Sequence, residues 1–382
     1  LTTAQLTALG GQVINLTNTP EIAEFGPVWS PNGESLAYTV KPKTSANFEV
    51  DVLEVLTRQV RHITFNTSKE LSHSSPIWSC DGKYLVFTQT HANGQNSNIL
   101  MAEVATGKTV NLTPHEGDHT FEATGISPDG KTVLLTSNAH NGYDNAGLLD
   151  MATRKITWLT SDKWEISSGR FSPDGKRLTW TANIDGNTDI FVYDLATGKA
   201  SPLPVAPGVN SLAGGDRPFS QDGNRMLYIH NGPNAPQDIW VYNFTAGKSH
   251  QVTHSLVGGV RSEDMVEPFL VHWPSKDGKW QISALVYVPF NAERSGKNAA
   301  IVYIHGGPEA QTVNLFDPSV QYLVNQGYFV IAPNYRGSTG FGKEFMEANR
   351  FDMGGGDLED VIAAAEWIKK TGFIDPQKLI AM

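Results

Sequence analysis

Two short motifs in the chain have the residue types and spacing of known chemical sites. The first, GISPDGKT at residues 125–132, fits the phosphate-loop pattern G-x-x-x-x-G-K-[ST]. A phosphate loop requires a strand before it and a helix after it, because the backbone N–H groups and the helix dipole must face the phosphates. Here Gly130 and Lys131 are followed by TVLLT, a β-branched and apolar run typical of a strand. We therefore interpret this motif as a hairpin turn without a phosphate site.

The second motif, HEGDH at residues 115–119, fits the zinc-binding pattern H-E-x-x-H. Two histidines four residues apart share a metal ion only on one face of a helix. This stretch follows Pro114 and has Gly117 at its centre, so we expect a loop between two repeats. Cys80 is the only cysteine, which excludes an internal disulfide and a cysteine-based metal site. The sequence therefore predicts no metal site and no cofactor.

The composition limits the classes of partner. The 382 residues carry a formal net charge of −10, with a pI near 5.5. Nucleic acids and anionic membranes bind basic surfaces, so neither is expected as a main partner. Because no apolar stretch approaches the length of a membrane span, the sequence predicts a soluble protein. The compartment, cytoplasmic or periplasmic and secreted, stays open, and a homo-oligomer remains among the alternatives.

A repeated phrase indicates the elements that carry these residues. It reads WSPNG, WSCDG, ISPDG, FSPDG and FSQDG, and its glycines are Gly33, Gly82, Gly130, Gly175 and Gly223. The spacings are 49, 48, 45 and 48 residues. Asn-Gly or Asp-Gly between two apolar runs is a strong hairpin signal, because a type I′ turn needs positive φ at both central residues. Four short strands in each repeat are typical of one propeller blade, so the sequence predicts five full blades.

An extra strand is predicted before the first blade, at QVINLT, residues 12–17. This orphan strand either closes the ring by pairing into the last blade or ends a blade whose beginning is missing. Together with the five blades it defines a predicted propeller domain at residues 1–262. Most aromatic and Ser-Pro-Asp-Gly positions in it are interpreted as core and turn residues.

The hydrophobic pattern changes after Val252. Residues 267–289 predict a hairpin, whereas residues 299–308 and 328–335 are continuous apolar runs typical of strands buried on both faces. Helices are predicted at 318–327 and at 357–372, the second with Asp357 as its N-cap. Its predicted apolar stripe comprises Leu358, Val361, Ile362, Ala365 and Ile368. A last strand at 378–382 completes a predicted parallel sheet with right-handed crossovers, and we assign residues 263–382 to this domain.

These elements resemble the prolyl oligopeptidase family of serine peptidases, especially its acylaminoacyl-peptidase and dipeptidyl-aminopeptidase-like branch. The resemblance covers nearly the whole chain. It rests on IVYIHGGPEAQ (301–311), on APNYRGSTGFGKEF (332–345) and on the run from GGGDLEDVIAAAEWI to PQKLIAM at the end of the sequence. It implies an all-β propeller followed by the first half of an α/β-hydrolase domain.

The resemblance also implies a site at the glycines of HGGP, residues 305–308. In an α/β-hydrolase, a glycine-rich loop in this place supplies a backbone N–H to the oxyanion hole. Gly307 is the implied donor and Gly306 shapes the loop, with a tight strand-to-helix turn as the alternative. His305 is predicted as an orienting or pocket residue, because the base histidine of this arrangement comes later in the chain. Tyr335 and Arg336 are predicted either to contact substrate or to brace the loop after the next strand.

The nucleophile elbow G-x-S-x-G does not occur in the 382 residues. In the family the run ending in PQKLIAM leads directly to that elbow, so the Ser, Asp and His of the triad are expected outside this sequence. We predict a serine peptidase that hydrolyses short peptides or acylated N-termini through an acyl-enzyme, with this chain alone inactive. A second polypeptide or a missing C-terminal segment is expected to complete the domain, because the last strand would leave an open apolar edge. The alternatives are an esterase on the same fold and a non-catalytic propeller binding module.

Overall fold

The chain forms two compact units in the computed structural model, which describes residues 13–65, 68–214 and 217–382. One unit comprises the described residues up to Leu135 together with Leu148–Ile156, and the other comprises those in Thr136–Gly147 and Thr157–Met382. The strands of the described residues belong to five sheets. None of the helices in these residues is long and apolar enough to cross a membrane.

Each of the first three sheets is a four-stranded blade whose strands pair in chain order. The first contains β1 (Ile22–Trp29), β2 (Ser35–Pro42), β3 (Glu49–Glu54) and β4 (Val60–His62). The second contains β5 (Leu71–Trp78), β6 (Tyr84–His91), β7 (Ser97–Glu103) and β8 (Thr109–Asn111). The third contains β9 (Phe121–Ile126), β10 (Thr132–Ser137), β11 (Asn145–Asp150) and β12 (Ile156–Trp158). These sheets confirm the predicted propeller class.

The fourth and fifth blades are joined in one eight-stranded sheet. The fourth contains β13 (Glu165–Phe171), β14 (Arg177–Ile184), β15 (Asn187–Asp194) and β16 (Lys199–Pro202). The fifth contains β17 (Val209–Leu212), β18 (Arg225–Gly232), β19 (Ala235–Asn243) and β20 (Lys248–Gln251). The link between the two blades is a single parallel pair, Thr188 with Val209. All other neighbouring strands of this sheet are antiparallel.

The orphan strand predicted at residues 12–17 is wrong for the described part. Residues 13–17 form no strand, and Gln12 lies outside the described residues. Instead the Asn15 side chain accepts hydrogen bonds from the backbone N–H groups of Thr17 and Asn18, at 3.2 and 2.9 Å. Such local side-chain bonds compete with strand pairing, which the apolar pattern of the segment does not reveal.

The two motifs with chemical spacing lie in turns and loops. GISPDGKT ends β9, turns at Gly130 with a φ of 72°, and continues into β10, a strand in place of the helix that a phosphate loop requires. HEGDH lies between β8 and β9, where the His115 Nδ1 atom is 2.9 Å from the Thr113 carbonyl oxygen. Among the described residues, no group of three His, Cys, Asp or Glu side chains is arranged to hold a metal ion.

The remaining strands form a five-stranded sheet in the order β21-β22-β24-β23-β25. Its strands are β21 (Phe269–Pro274), β22 (Gln281–Tyr287), β23 (Asn298–Val302), β24 (Phe329–Asn334) and β25 (Ile374–Ala381). The pairs β21/β22 and β22/β24 are antiparallel, whereas β23 runs parallel to both β24 and β25. This is the predicted hairpin followed by a parallel sheet, the start of an α/β-hydrolase domain. β25 begins four residues before its predicted start at residue 378.

Three α-helices accompany this sheet: α1 (Pro318–Asn325), α2 (Lys343–Glu347) and α3 (Gly356–Lys369). A short 3₁₀ helix lies at Ser262–Asp264, before β21. Asp317 caps α1, because its Oδ1 atom accepts from the N–H groups of Ser319 at 2.8 Å and Val320 at 3.1 Å. The α1 helix and the strands of the sheet enclose an apolar core built mainly from valine, isoleucine and leucine.

Two details predicted for α3 are wrong. Its N-cap is Gly355, and Asp357 lies in the first turn. The buried face is Asp360, Ala364 and Ile368. Leu358 and Ile362, which the apolar stripe placed inside, are 49% and 45% exposed. The other three residues of the predicted stripe lie on the core side: Ile368 is buried, and Val361 and Ala365 pack partly buried against the core. The core position that the pattern did not assign is Asp360, a charged residue whose burial requires a partner elsewhere in the chain.

Candidate active site

A glycine loop, residues 305–314, follows β23 and the two residues after it. Gly307 has a φ of 139°, and a Cβ atom added to it would lie 2.8 Å from the Glu309 backbone nitrogen and 3.1 Å from that of Ala310. A side chain at this position would therefore displace the backbone of its own loop. An added Cβ at Gly306 would meet open space. The structure thus requires glycine at 307 but gives no steric reason for glycine at 306.

The N–H groups of the two glycines in this loop are available as donors. In the described part of the chain, neither Gly306 nor Gly307 donates its backbone N–H to a protein acceptor. Both residues are exposed. Free backbone N–H groups at an exposed glycine turn are the kind of donor that stabilises a developing oxyanion. The geometry therefore fits the implied role of Gly307 as a donor, which stays a prediction.

His305 and Tyr335 hold the start of the glycine loop. Their rings stack with centroids 4.5 Å apart and an interplanar angle of 14°. The Tyr335 hydroxyl donates to the His305 carbonyl oxygen at 2.6 Å, and His305 Nε2 lies 2.8 Å from the Ser338 hydroxyl oxygen. Burial lowers the pKa of His305, which favours the neutral imidazole at neutral pH. The structure therefore brings together His305, Tyr335 and both predicted glycines, in contacts that orient the loop.

Arg336 makes a different set of contacts, all with carboxylates. Its Nε donates to Asp360 Oδ2 at 2.7 Å and one terminal nitrogen donates to Asp360 Oδ1 at 2.9 Å. The other terminal nitrogen donates to Asp277 Oδ2 at 2.8 Å. The guanidinium holds the pKa of Asp277 well below its usual range and its own pKa is raised by these bonds. Arg336 is 7% exposed, so these are the contacts of a brace, and a contact with substrate stays a prediction.

The first residue of α3, Gly356, gives the guanidinium its space. An added Cβ at Gly356 would lie 2.5 Å from a terminal nitrogen of Arg336, so a larger residue there would displace the ion pair. Asp277 belongs to the SKDGK turn between β21 and β22, in which the Ser275 hydroxyl donates to the same carboxylate at 2.6 Å. This turn has the same Ser-x-Asp-Gly sequence as the blade hairpins, in which a serine hydroxyl also donates to the aspartate. That sequence marks Asp277 as a turn residue but does not reveal its pairing with Arg336.

The residues that hold the rest of the glycine loop were not predicted from the sequence. Asn334, at the end of β24, accepts from the Thr312 N–H at 2.7 Å and donates to the Thr312 carbonyl oxygen at 3.0 Å. The Thr339 N–H donates to the Ala310 carbonyl oxygen at 2.8 Å. Asn334 is 2% exposed, and a buried asparagine after an apolar run is a signal for a backbone clamp of this kind.

Comparison with known proteins identifies the family. Residues 42–237, about half of the chain, match the N-terminal region of dipeptidyl peptidase IV, and residues 314–382 match the prolyl oligopeptidase family. The chain belongs to the prolyl oligopeptidase family of serine peptidases. The first match falls on the predicted propeller and the second on the predicted hydrolase segment, in the order that the resemblance implies.

Two relatives are dipeptidyl peptidases of bacteria. Dipeptidyl-peptidase 5 of Porphyromonas gingivalis is 26% identical over 287 residues, which cover 72% of this chain and 40% of that protein. Dipeptidyl aminopeptidase BIII of Pseudoxanthomonas mexicana is 27% identical over 282 residues, which cover 70% of this chain and 40% of that protein. This chain thus spans about 40% of the length of these two relatives.

Solved structures share the fold of this prolyl oligopeptidase family chain. A puromycin-hydrolyzing peptidase of Mycobacterium tuberculosis matches with a TM-score of 0.83 and 22% identity, covering 94% of this chain and 58% of its own. Prolyl oligopeptidase B from Galerina marginata matches with a TM-score of 0.81 and 19% identity, covering 95% of this chain and 52% of its own. At these identities the likeness supports the propeller and hydrolase fold alone.

Proposed function

We propose that this chain supplies the propeller and the oxyanion donor of a serine peptidase that hydrolyses short peptides or acylated N-termini. The observation that carries the proposal is the pair of exposed glycines, 306 and 307, whose N–H groups donate to no protein acceptor among the described residues. Their loop is held by His305, Tyr335 and Asn334. Two relatives are named for dipeptidyl peptidase activity, which supports substrates cut near a peptide end.

In the proposed reaction a serine oxygen attacks the scissile carbonyl carbon, and the carbonyl oxygen becomes negatively charged. The N–H of Gly307 donates to that oxygen, a contribution of about 3–4 kcal/mol to the transition state. Collapse of the intermediate breaks the C–N bond, releases the amine and leaves an acyl-enzyme, which water then hydrolyses. The serine, its base and the orienting carboxylate are supplied by sequence that is not among these 382 residues.

We also propose that further sequence, in the same polypeptide or a second one, pairs with the outer edge of β25. β25 is the edge strand of its sheet, and Ile380 and Met382 are 47% and 60% exposed. On α3, Leu358 and Ile362 are also exposed. An unpaired strand with apolar neighbours is a pairing template. Within this proposal the propeller domain comprises residues 1–262 and the hydrolase segment residues 263–382, supported by the change from blades to the five-stranded sheet after β20.

Labelling with a fluorophosphonate tests the proposed chemistry. The complete gene product is expected to be labelled on one serine and to release p-nitroaniline from short peptidyl substrates. The 382-residue chain alone is expected to give no label, because an oxyanion donor without a nucleophile cannot form an acyl-enzyme. Absence of a labelled serine in the complete protein would contradict the enzyme proposal and favour a propeller binding module.

The same assay separates a peptidase from an esterase. Dipeptidyl and acetyl-aminoacyl p-nitroanilides are compared with p-nitrophenyl butyrate on the unlabelled complete protein. We expect hydrolysis of at least one of the two p-nitroanilides, which are amides, as well as of the p-nitrophenyl ester. Ester hydrolysis without amide hydrolysis would instead favour the esterase.

Intact-mass measurement of the purified natural protein tests the proposed completion of the sheet. We expect either a single mass well above 41.6 kDa or a companion polypeptide that copurifies with this chain. The physical reason is the open edge of β25, which exposes backbone groups and apolar side chains to aggregation. A soluble, folded protein of 41.6 kDa without a companion would contradict the proposal.

A further inference from the structure

One hairpin of the propeller is attached to the glycine loop. The blade-4 hairpin, residues 183–187 (NIDGN), joins β14 to β15 within the second compact unit. Ile184 pairs with Asn187, which leaves a two-residue turn at Asp185 and Gly186 with φ values of 53° and 84°. Positive φ at both central residues is the pattern of a type I′ turn, the tightest connection between two strands.

The turn makes direct backbone contact with the glycine loop. The Asn314 N–H donates to the Gly186 carbonyl oxygen at 2.8 Å. An added Cβ at Gly186 would lie 3.3 Å from the Thr312 carbonyl oxygen and 3.5 Å from the Cα of Val313, so the two backbones lie close together. A larger residue at 186 would hold the hairpin away from the loop.

Side-chain amides add two further bonds between the same segments. Asn183 Nδ2 donates to Gln311 Oε1 at 2.5 Å, and Asn314 Nδ2 donates to Asn187 Oδ1 at 2.9 Å. In the described part of the chain, the Gln311 Nε2 and Asn314 Oδ1 atoms are buried without a partner. A buried amide with one unpaired end lowers the free energy of unfolding. A contribution to stability therefore does not explain why these amides are present.

Asp185 fixes the hairpin to the sheet behind the loop. Its carboxylate accepts from the Ser283 hydroxyl at 2.6 Å and lies 2.5 Å from His272 Nε2. Ser283 is on β22 and His272 on β21, and both Asp185 and Ser283 are buried. Asp185 therefore anchors the turn of the hairpin on the hydrolase sheet. Asn183 and Asn187, on either side of that turn, bond to the glycine loop.

We propose that the blade-4 hairpin positions the glycine loop for catalysis, with Asn183 and Gln311 as positioning residues. The inference rests on the proposed function. Within the hydrolase segment, Thr339 and Asn334 bond to residues 310 and 312 of the loop. The blade-4 hairpin bonds to the alternate residues, 311 and 314. The Gly307 donor lies four residues before Gln311, so a looser Gln311 displaces the donor from the oxyanion. Misplacement of about 1 Å is enough to lower a rate by about 100-fold.

The test compares Asn183→Ala with a matched variant, Asn234→Ala, in the complete gene product. Asn234 lies in the corresponding hairpin of the fifth blade and donates to Glu267 Oε1 at 2.7 Å, a residue outside the glycine loop. Two kinds of measurement are made. One is hydrogen exchange at the Thr312 and Asn314 amides, and the other is steady-state kinetics, which gives kcat and KM on a peptidyl p-nitroanilide. Asn183→Ala is expected to speed exchange of both amides at least about tenfold and lower kcat about 10- to 100-fold, with KM within about twofold.

A conservative variant separates positioning from general loss of structure. Asn183→Asp keeps the acceptor for the Gly186 N–H, and its carboxylate can accept from Gln311 Nε2 once that amide turns over. It is expected to restore kcat to within about threefold of the unaltered protein. Asn234→Ala is expected to leave exchange of the two amides and kcat unchanged.

The remaining outcomes contradict either the positioning proposal or the proposed function. Unchanged exchange in Asn183→Ala overturns the proposal, as does faster exchange with unchanged kcat, or equal loss of kcat in Asn234→Ala. If the unaltered protein neither hydrolyses peptides nor reacts with a fluorophosphonate, the proposed function fails. The positioning role in catalysis falls with it, while the exchange comparison still decides whether the hairpin holds the loop.

Discussion

Replacing Gly307 with alanine is expected to lower kcat of the complete peptidase about 100- to 1,000-fold, the effect of losing one oxyanion donor. The added Cβ would lie 2.8 Å from the Glu309 nitrogen and 3.1 Å from the Ala310 Cβ, and the φ of 139° is strained for any L side chain. The loop must move to relieve this contact, and the 307 N–H moves with it. The measurement is steady-state kinetics on a peptidyl p-nitroanilide, with labelling by a fluorophosphonate as a second readout.

Gly327→Ala is the matched control. Gly327 follows α1 with a φ of 91°, but an added Cβ there meets nothing within 4 Å. The two variants share the strain of a positive φ, and only the one at 307 adds a steric clash inside the glycine loop. Gly327→Ala is expected to lower the melting temperature slightly and to leave kcat within about twofold. A Gly307→Ala enzyme with near-normal kcat would show that the N–H of this residue is not a donor in the reaction.

Repeat spacing and turn chemistry made most of the fold predictable. The five Asx-Gly turns mark the second hairpin strand of each blade, and the continuous apolar runs around residues 300 and 330 became β23 and β24. These features are local: a turn with a glycine at positive φ and a strand buried on both faces leave their pattern in a few consecutive residues. The type I′ geometry predicted for the blade turns is wrong, because the Asn or Asp before each of these glycines does not have a positive φ, and in the first blade Ser30 pairs with Ser35 across four residues. The orphan strand was wrong although the contacts that replace it are also local. Its apolar alternation is real, but the Asn15 side chain bonds to nearby backbone N–H groups.

The site was predictable only in part, because its contacts join distant segments. HGGP and the Tyr335–Arg336 pair were found through the family resemblance, whose glycines and aromatic residue are visible in the sequence. The partners of Arg336 were not found, since Asp277 lies 59 residues before it and Asp360 lies 24 residues after it. Asp360 also occupies a position of α3 that the apolar periodicity assigns to solvent. Only tertiary pairing makes a buried aspartate possible there, and no local pattern encodes it.

Replacing Arg336 with methionine is expected to lower the free energy of unfolding by about 3–5 kcal/mol, the cost of breaking a buried ion pair from one side. Asp360 is fully buried, and among the described residues the Arg336 backbone N–H is the one donor to it that the variant keeps. Asp277 is a lesser concern, because its side chain is 36% exposed and water can solvate it. Urea unfolding of the complete protein, followed by circular dichroism, measures the change.

Two further variants separate loss of the buried ion pair from loss of an exposed ion pair and from loss of packing. Arg350→Ala removes a partly exposed arginine that pairs with Glu309 and Glu347, and is expected to cost less than about 1 kcal/mol. The double variant Arg336→Met/Asp360→Leu removes both buried charges, so it is expected to be more stable than Arg336→Met alone. If the double variant is less stable than the single one, the loss arises from packing around the Arg336 stem, and the ion pair is not what holds α3 against the loop after β24.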